Sequence, residues 1–202
     1  DVVTLNGTGV FASSAIANGI AVTSTSTLGG ASSGNYSLTQ PTGLIANITP
    51  PALLQWNTFG NAGTETTEPS VFNNANVTAA NLTQGTITAA GNPNRFGGSG
   101  WFNTGNTAAG STLTEAIAGN DYVQFVVTPN SGYTFTATSF SFLWDFSGTG
   151  PRSVTLRSSA DGFASDLGTL NNLTASTSVF RTISITSLVN VSTPTTFRLY
   201  GF

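Results

Sequence analysis

Glu65 and Glu68 are the first residues in this chain whose type and spacing could support a reaction, because two nearby carboxylates can divide the general-acid and general-base roles. Glycoside hydrolysis asks such a pair to face each other across a cleft. Three positions apart in one polar loop, Thr64 to Pro69, they read more simply as solvated charges. Asp145, Asp161, Asp166, Asn120 and Asp121 are a second set, since hard cations such as calcium take carboxylate and carbonyl oxygens. No dense Asp-x-Asp-x-Asp loop is present, and Asp and Asn also recur in turns for conformational reasons. Calcium is therefore the one cofactor left open, and no other is expected. A third set is aromatic: Phe96, Trp101 and Phe102 lie in a Gly/Asn-rich stretch, Asn92 to Gly110, where rings either stack on sugars or plug the end of a β-sandwich.

The absences narrow the chemistry further. His, Cys and Met are missing and all five cations are Arg. That removes nucleophile–His arrangements, the usual zinc, iron and copper ligand sets, disulfides and Lys–Asn cross-links. The expectation is a protein that is not an enzyme. Charged residues make up 6% of the chain, against about 25% in ordinary soluble domains. A clustered cationic surface for nucleic acid is excluded with them. Hydrophobic residues, at 39% with 14 Phe, are enough for a packed core and argue against disorder. No apolar run approaches the ~20 residues that span a bilayer. Opening at Asp1, with no charged-plus-apolar leader, the sequence reads as a mature secreted chain, extracellular and at the cell surface.

Seven Asn-x-Ser/Thr motifs permit glycosylation at Asn6, Asn35, Asn47, Asn76, Asn81, Asn172 and Asn190, a frequency that so Asn-, Ser- and Thr-rich a composition produces by chance. Arg152, Arg157, Arg181 and Arg198 fall on strand candidates, where they pair with the few acids or cover exposed sheet.

The elements that position these residues are β-strands. YVQFVVTP, GYTFTATSFSFLWDF and RSVTLR, within 121–157, alternate apolar and polar residues and are broken by Pro-Asn-Ser-Gly and Gly-Thr-Gly-Pro turns. Val123, Phe125 and Val127 share one face; Phe140, Phe142, Trp144 and Phe146 share another. Further strands are predicted at 82–89, 166–170, 179–185 and 195–200, with one helical turn at 113–118. Many short strands at this spacing predict an all-β, antiparallel, jelly-roll-like β-sandwich over 35–202.

Residues 1–34 differ. Val10, Ala12, Ile16, Ile20 and Val22 occupy even positions, the pattern of one long half-buried strand bent at Asn18-Gly19, and Gly29 to Gly34 has linker composition. This predicts a strand-like arm with Val2, Val3, Leu5, Val10, Phe11, Ile16, Ile20 and Val22 as its contact residues, on a Gly/Ser hinge.

From about Leu54 onward, LQWNTFGNAGTE (54–65), NLTQG (81–85), RFGGSGW (95–101), DYVQFVVTPNSGYTFT (121–136), TGPRSVTLRSSADGF (149–163) and TFRLYGF (196–202) resemble secreted bacterial β-sandwich domains that precede PEP-CTERM or choice-of-anchor sorting tails. The resemblance covers roughly 150 residues, and it implies a surface location and no catalytic residues. Members of that group usually continue past the FRLYG strand into a last strand resembling DNVTLNG, whereas here the similar string DVVTLNGT stands at 1–8. The resemblance thus implies a final strand moved to the N-terminus. Filling its own groove, such an arm makes a permuted monomer; filling the next molecule's, it makes a head-to-tail homopolymer. Burial of Val3, Leu5, Val10, Ile16, Ile20 and Val22 at ~1.5–3 kcal/mol each is worth on the order of 10 kcal/mol before ordering costs. The functional expectation is an extracellular filament or pilus subunit joined by donor-strand complementation. The alternative is a monomeric adhesive module that binds surface glycans.

Overall fold

The computed structural model describes residues 1–49, 51–101, 111–174 and 178–202, and the chain divides into two compact units, Asp1–Pro51 and Ala52–Phe202. The fold is all-β with antiparallel pairing throughout the described strands. No described helix is long and apolar enough to cross a membrane.

The larger unit is a β-sandwich. One layer has six strands in the order β15 (Asp166–Leu170), β14 (Val154–Ser158), β17 (Thr195–Gly201), β12 (Tyr122–Val127), β9 (Asn81–Gln84) and β7 (Thr67–Pro69). Facing it are two long strands, β13 (Phe135–Trp144) and β16 (Val179–Val191), which pair with each other. Two small pairs, β6 (Leu54–Gln55) with β8 (Phe72–Asn73) and β10 (Thr88–Ala89) with β11 (Gly98–Ser99), complete it.

Alternation explains the layering. Phe125, Val127, Val154, Leu156, Phe197 and Leu199 point from the large sheet into the core, where Phe135, Ala137, Ile183, Ile185 and Leu188 meet them. Phe125 is the centre of the contact. Its ring stacks on Phe197 within its own sheet at 5.1 Å, on Phe140 of the opposite layer at 5.2 Å, and tilts against Trp56 at 4.9 Å. Stacked rings of this kind add to the area they bury.

Strands next to each other in sequence mostly sit in opposite layers, so the turns at Pro129–Gly132 and Gly148–Pro151 are crossings between sheets. The tight turns expected there thus join layers. The β14–β15 connection is a hairpin, as the Asp161-Gly162-Phe163 signal predicts. The helical turn expected at 113–118 is the helix α1 (Leu113–Gly119). Its Thr112 and Glu115 form a reciprocal capping box, and Asn120 in the left-handed region ends it. Through Ala116, α1 covers Tyr122 and Tyr200 on the outer face of the large sheet.

The smaller unit departs from the sequence expectation. It runs to Pro51, so residues 35–51 belong to it rather than to the sandwich. Instead of one long strand, β1 (Thr4–Asn6) pairs with β4 (Thr27–Gly29), and β2 (Gly9–Phe11) pairs with β3 (Ala17–Ser24), which also pairs with β5 (Ile45–Ile48). The Gly29–Gly34 run closes this ribbon and is no free hinge. Gly30 has φ +95°, a Cβ there would lie 2.4 Å from the Val2 carbonyl oxygen, and the Ser32 N–H donates to that same oxygen.

Candidate functional site

Most contact residues expected of the arm are exposed. Val2 is 62%, Leu5 64%, Val10 56% and Ile16 57% accessible, with Val3 and Phe11 also exposed, while Val22 is half-buried and Ile20 is the one buried member. The strand register explains this. Phe11 lies opposite Val22 and so on the face of Ile20, whereas Val10 lies opposite Thr23 and so on the face of Ala21 and the 71%-exposed Ile45. Both faces of the small sheet are therefore apolar. Its free edges are also uncharged, since Asp1 is the single ionisable side chain among residues 1–51 apart from Tyr36, whose hydroxyl donates to Asp1.

In the sandwich, the two layers treat their edges differently. The large sheet ends on one side in β7, a short strand carrying Glu68 and Pro69, and on the other in β15, which carries Asp166 and pairs through a bulge. Charge, proline and irregularity are what blunt a sheet edge against pairing. In the two-stranded layer, β13 holds no charged residue and β16 holds only Arg181. Among the described residues each forms a ladder only with the other, and β15 packs close beside β16 through Gly168 against Ile183. On the outward face of this layer Leu143 and Phe180 lie directly opposite each other, both 66% exposed. On the inward face Phe140, Phe142 and Trp144 are only half-buried, linked ring to ring at 5.1 and 6.0 Å. Trp144 Nε1 and Arg181 Nε are buried there with no hydrogen-bond partner among the described residues.

Of the aromatic candidates, Phe96 and Trp101 are half-buried. Trp101 stands edge-on to Trp144 at 5.8 Å and lies so close on β17 that a Cβ at Gly201 would sit 2.8 Å from its ring. Phe96 is half-buried beside Arg95, which pairs with Asp145; Phe102 lies outside the described residues. Trp101 thus plugs this end of the sandwich.

The carboxylates are occupied one by one. Both Glu65 oxygens accept turn N–H groups, from Ala62 at 2.9 Å and Gly63 at 2.7 Å. Hydrogen bonds from the backbone of Glu65 itself, Ala62 and Gly63 hold its carboxyl below the usual range. Glu68 is buried and accepts from Asn61, so the two glutamates act on the same loop without facing each other over a cleft. Asp145 is held below its usual range first by the Arg95 hydrogen bond and charge, with Ser178 also donating. Asp161 is lowered by hydrogen bonds from the Ser165 side chain and from the Ser165 and Ala164 backbone. Asp166 pairs with Arg157, Asp121 accepts from Thr86, and Asn120 caps α1. Among the described residues no three carboxylates come together in a way that could hold a metal ion. Asn6, Asn35, Asn47, Asn76, Asn81, Asn172 and Asn190 are all exposed.

Of the arginines, Arg157 pairs with an acid as expected and Arg152 lies on the surface. Arg181 and Arg198 do neither: Arg181 faces inward opposite Phe142, and Arg198 is clamped by aromatic rings, an arrangement that alternation and composition do not signal. Compared with known protein families, curated proteins and solved structures, the chain matches none.

Proposed function

We propose that this chain is an extracellular, cell-surface structural subunit that assembles head to tail into a filament or pilus-like fibre by strand addition. The observation that carries the reading is the N-terminal unit: apolar on both faces, uncharged along its edges, and with one buried apolar side chain, Ile20. A few strands with no covering layer are marginal in water, and exposed apolar patches with open edges mark sites of association. The donor is the ribbon as a whole, with β1–β2 or β5 as the pairing edge.

The acceptor is the edge of β13, unpaired on its side away from β16, in the next copy. Backbone pairing there supplies affinity, and the half-buried Phe140, Phe142 and Trp144 receive the apolar side chains. An incoming strand also brings carbonyl oxygens to an end of the sheet where two buried donors lack partners, a state that costs about 1–3 kcal/mol per group. Because donor and acceptor patches lie on different surfaces of one chain, the contact is heterologous and propagates.

Electron microscopy of the purified chain tests this. Fibres from the full chain, and none after deletion of residues 1–28, are expected. Fibres that persist in the deleted chain, or a full chain that stays monomeric at high concentration by light scattering, would overturn the reading.

A further inference from the structure

The outer face of the six-stranded sheet carries one polar rung. In register from edge to edge it runs Asp166, Arg157, Arg198, Gln124, Thr83, Thr67, one residue from each strand. Within it the guanidinium-bearing Arg157 and Arg198 stand directly opposite each other, which is unfavourable without an anion for each. Asp166 serves Arg157 at 2.6 Å, and the Phe163 carbonyl takes a second Arg157 donor at 2.9 Å.

Arg198 has no carboxylate within ion-pair distance among the described residues. It is nevertheless held in place. Its Nε donates to Gln124 Oε1 at 3.1 Å, and its guanidinium carbon lies 4.3 Å from the Tyr122 ring centre and 4.2 Å from that of Phe163. With Nε used, the Nη1/Nη2 edge has no acceptor among the described residues, and that edge is the end-on fork that fits a carboxylate through two parallel hydrogen bonds. Phe163 adds an independent observation. It sits at φ +62°, in the left-handed region that bulky side chains avoid, held by its N–H bond to the Ser158 carbonyl at 2.8 Å. Strain of this kind persists where surroundings enforce it and gathers at ligand clamps. Here it places a ring over a cation whose fork has no acceptor among the described residues.

We propose that this rung binds an acidic saccharide, with Arg198 taking the carboxylate of a uronate unit and Gln124, Thr83 and Thr67 meeting hydroxyls of the units beside it. Six strands about 4.8 Å apart extend the rung over ~24 Å, far more than a small anion uses. Its half beyond Arg198 is amide and hydroxyl, the donor and acceptor set that matches sugar hydroxyls. The site uses no residue of the N-terminal unit, so it stands or falls separately from assembly.

Calorimetric titration of the full chain with hexagalacturonate, with cellohexaose and with a sulfated hexasaccharide tests the proposal. Saturable binding of hexagalacturonate alone is expected, weakened about tenfold or more by Arg198→Gln, since charge-assisted hydrogen bonds are lost. Arg198→Lys, which lacks the fork, is expected not to rescue it. Phe163→Gly suits the local backbone and keeps the fold, yet frees the guanidinium, so several-fold weaker binding is expected even if an Arg198 variant fails to fold. No saturable binding, equal binding of cellohexaose, preference for the sulfated probe, or affinity unchanged in both Arg198→Gln and Phe163→Gly would overturn it.

Discussion

The Thr25 N–H donates to the Thr8 carbonyl at 2.9 Å, and this bond joins two short hairpin pairings into a single ribbon. Gly9–Phe11 pair with Val22–Ser24 on one side of it and Thr4–Asn6 with Thr27–Gly29 on the other, in unbroken register. In that register every even position meets an odd one, so alternating apolar residues of the two strands are shared between both faces. A sheet with two apolar faces needs a layer against each. The N-terminal unit thus has the two apolar faces that the proposed strand addition would cover.

Val10→Lys tests that character at one exposed position. On an uncovered surface the substitution changes stability by no more than about 0.5 kcal/mol. Within an assembled interface it buries an unpaired charge, and on an edge it blocks pairing. The expected outcome is an unaltered melting temperature and loss of fibres, read by calorimetry and negative-stain microscopy. Fibres of normal length from the variant would count against ribbon insertion.

Gly30→Ala addresses the closure of the ribbon. Its φ of +95° and the 2.4 Å approach of a Cβ to the Val2 carbonyl leave no room for a side chain. Local opening of the ribbon becomes easier by about 1 kcal/mol or more, since alanine at positive φ destabilises. Amide exchange at Ser32, whose N–H donates to Val2, is expected to quicken while exchange in β12 and β17 stays the same.

The sandwich was legible in the sequence because each core strand carries its own period-two record. Phe125 and Val127, and Phe140 and Phe142, face the core as their alternation predicts. Alternation does not say which strand is the neighbour, so the turns at Pro129–Gly132 and Gly148–Pro151 give no sign that they cross between layers. The same gap misplaces the arm. Val10 and Val22 have equal parity in sequence, but the chain reverses between them and sets them on opposite faces. Arg198 was illegible for another reason: its rings come from Tyr122 and Phe163, distant in sequence, and the left-handed backbone at Phe163 is written in no motif.

Phe125→Ala is expected to be among the most damaging substitutions in the chain. Its ring touches Trp56, Phe140 and Phe197, so truncation opens a cavity between both layers. A cost of about 3–5 kcal/mol is typical for such a change. Denaturant unfolding of the full chain measures it, with the slope unchanged if the native fold is kept. A loss under about 1 kcal/mol would mean that the site collapses easily around the missing ring.

Acid should loosen the molecule at three named carboxylates. Asp145, Asp161 and Glu65 all have folded-state pKa values below their ordinary ones, Asp145 chiefly through Arg95 and the other two through hydrogen bonds. A carboxyl with a depressed folded pKa contributes stability above its unfolded value, and that contribution is lost as pH falls through the folded pKa. The ordinary values are 3.8 for Asp and 4.5 for Glu, so the melting temperature should be level from pH 7 down to about 5 and then decline. Arg95 and Asp145 have side chains 48% and 17% exposed, so solvent screening keeps their share modest. Asp145→Asn should lower the melting temperature at pH 6 and flatten the decline below pH 4, where wild type and variant converge. A variant curve parallel to the wild type across that range would remove Asp145 as a source of the acid sensitivity.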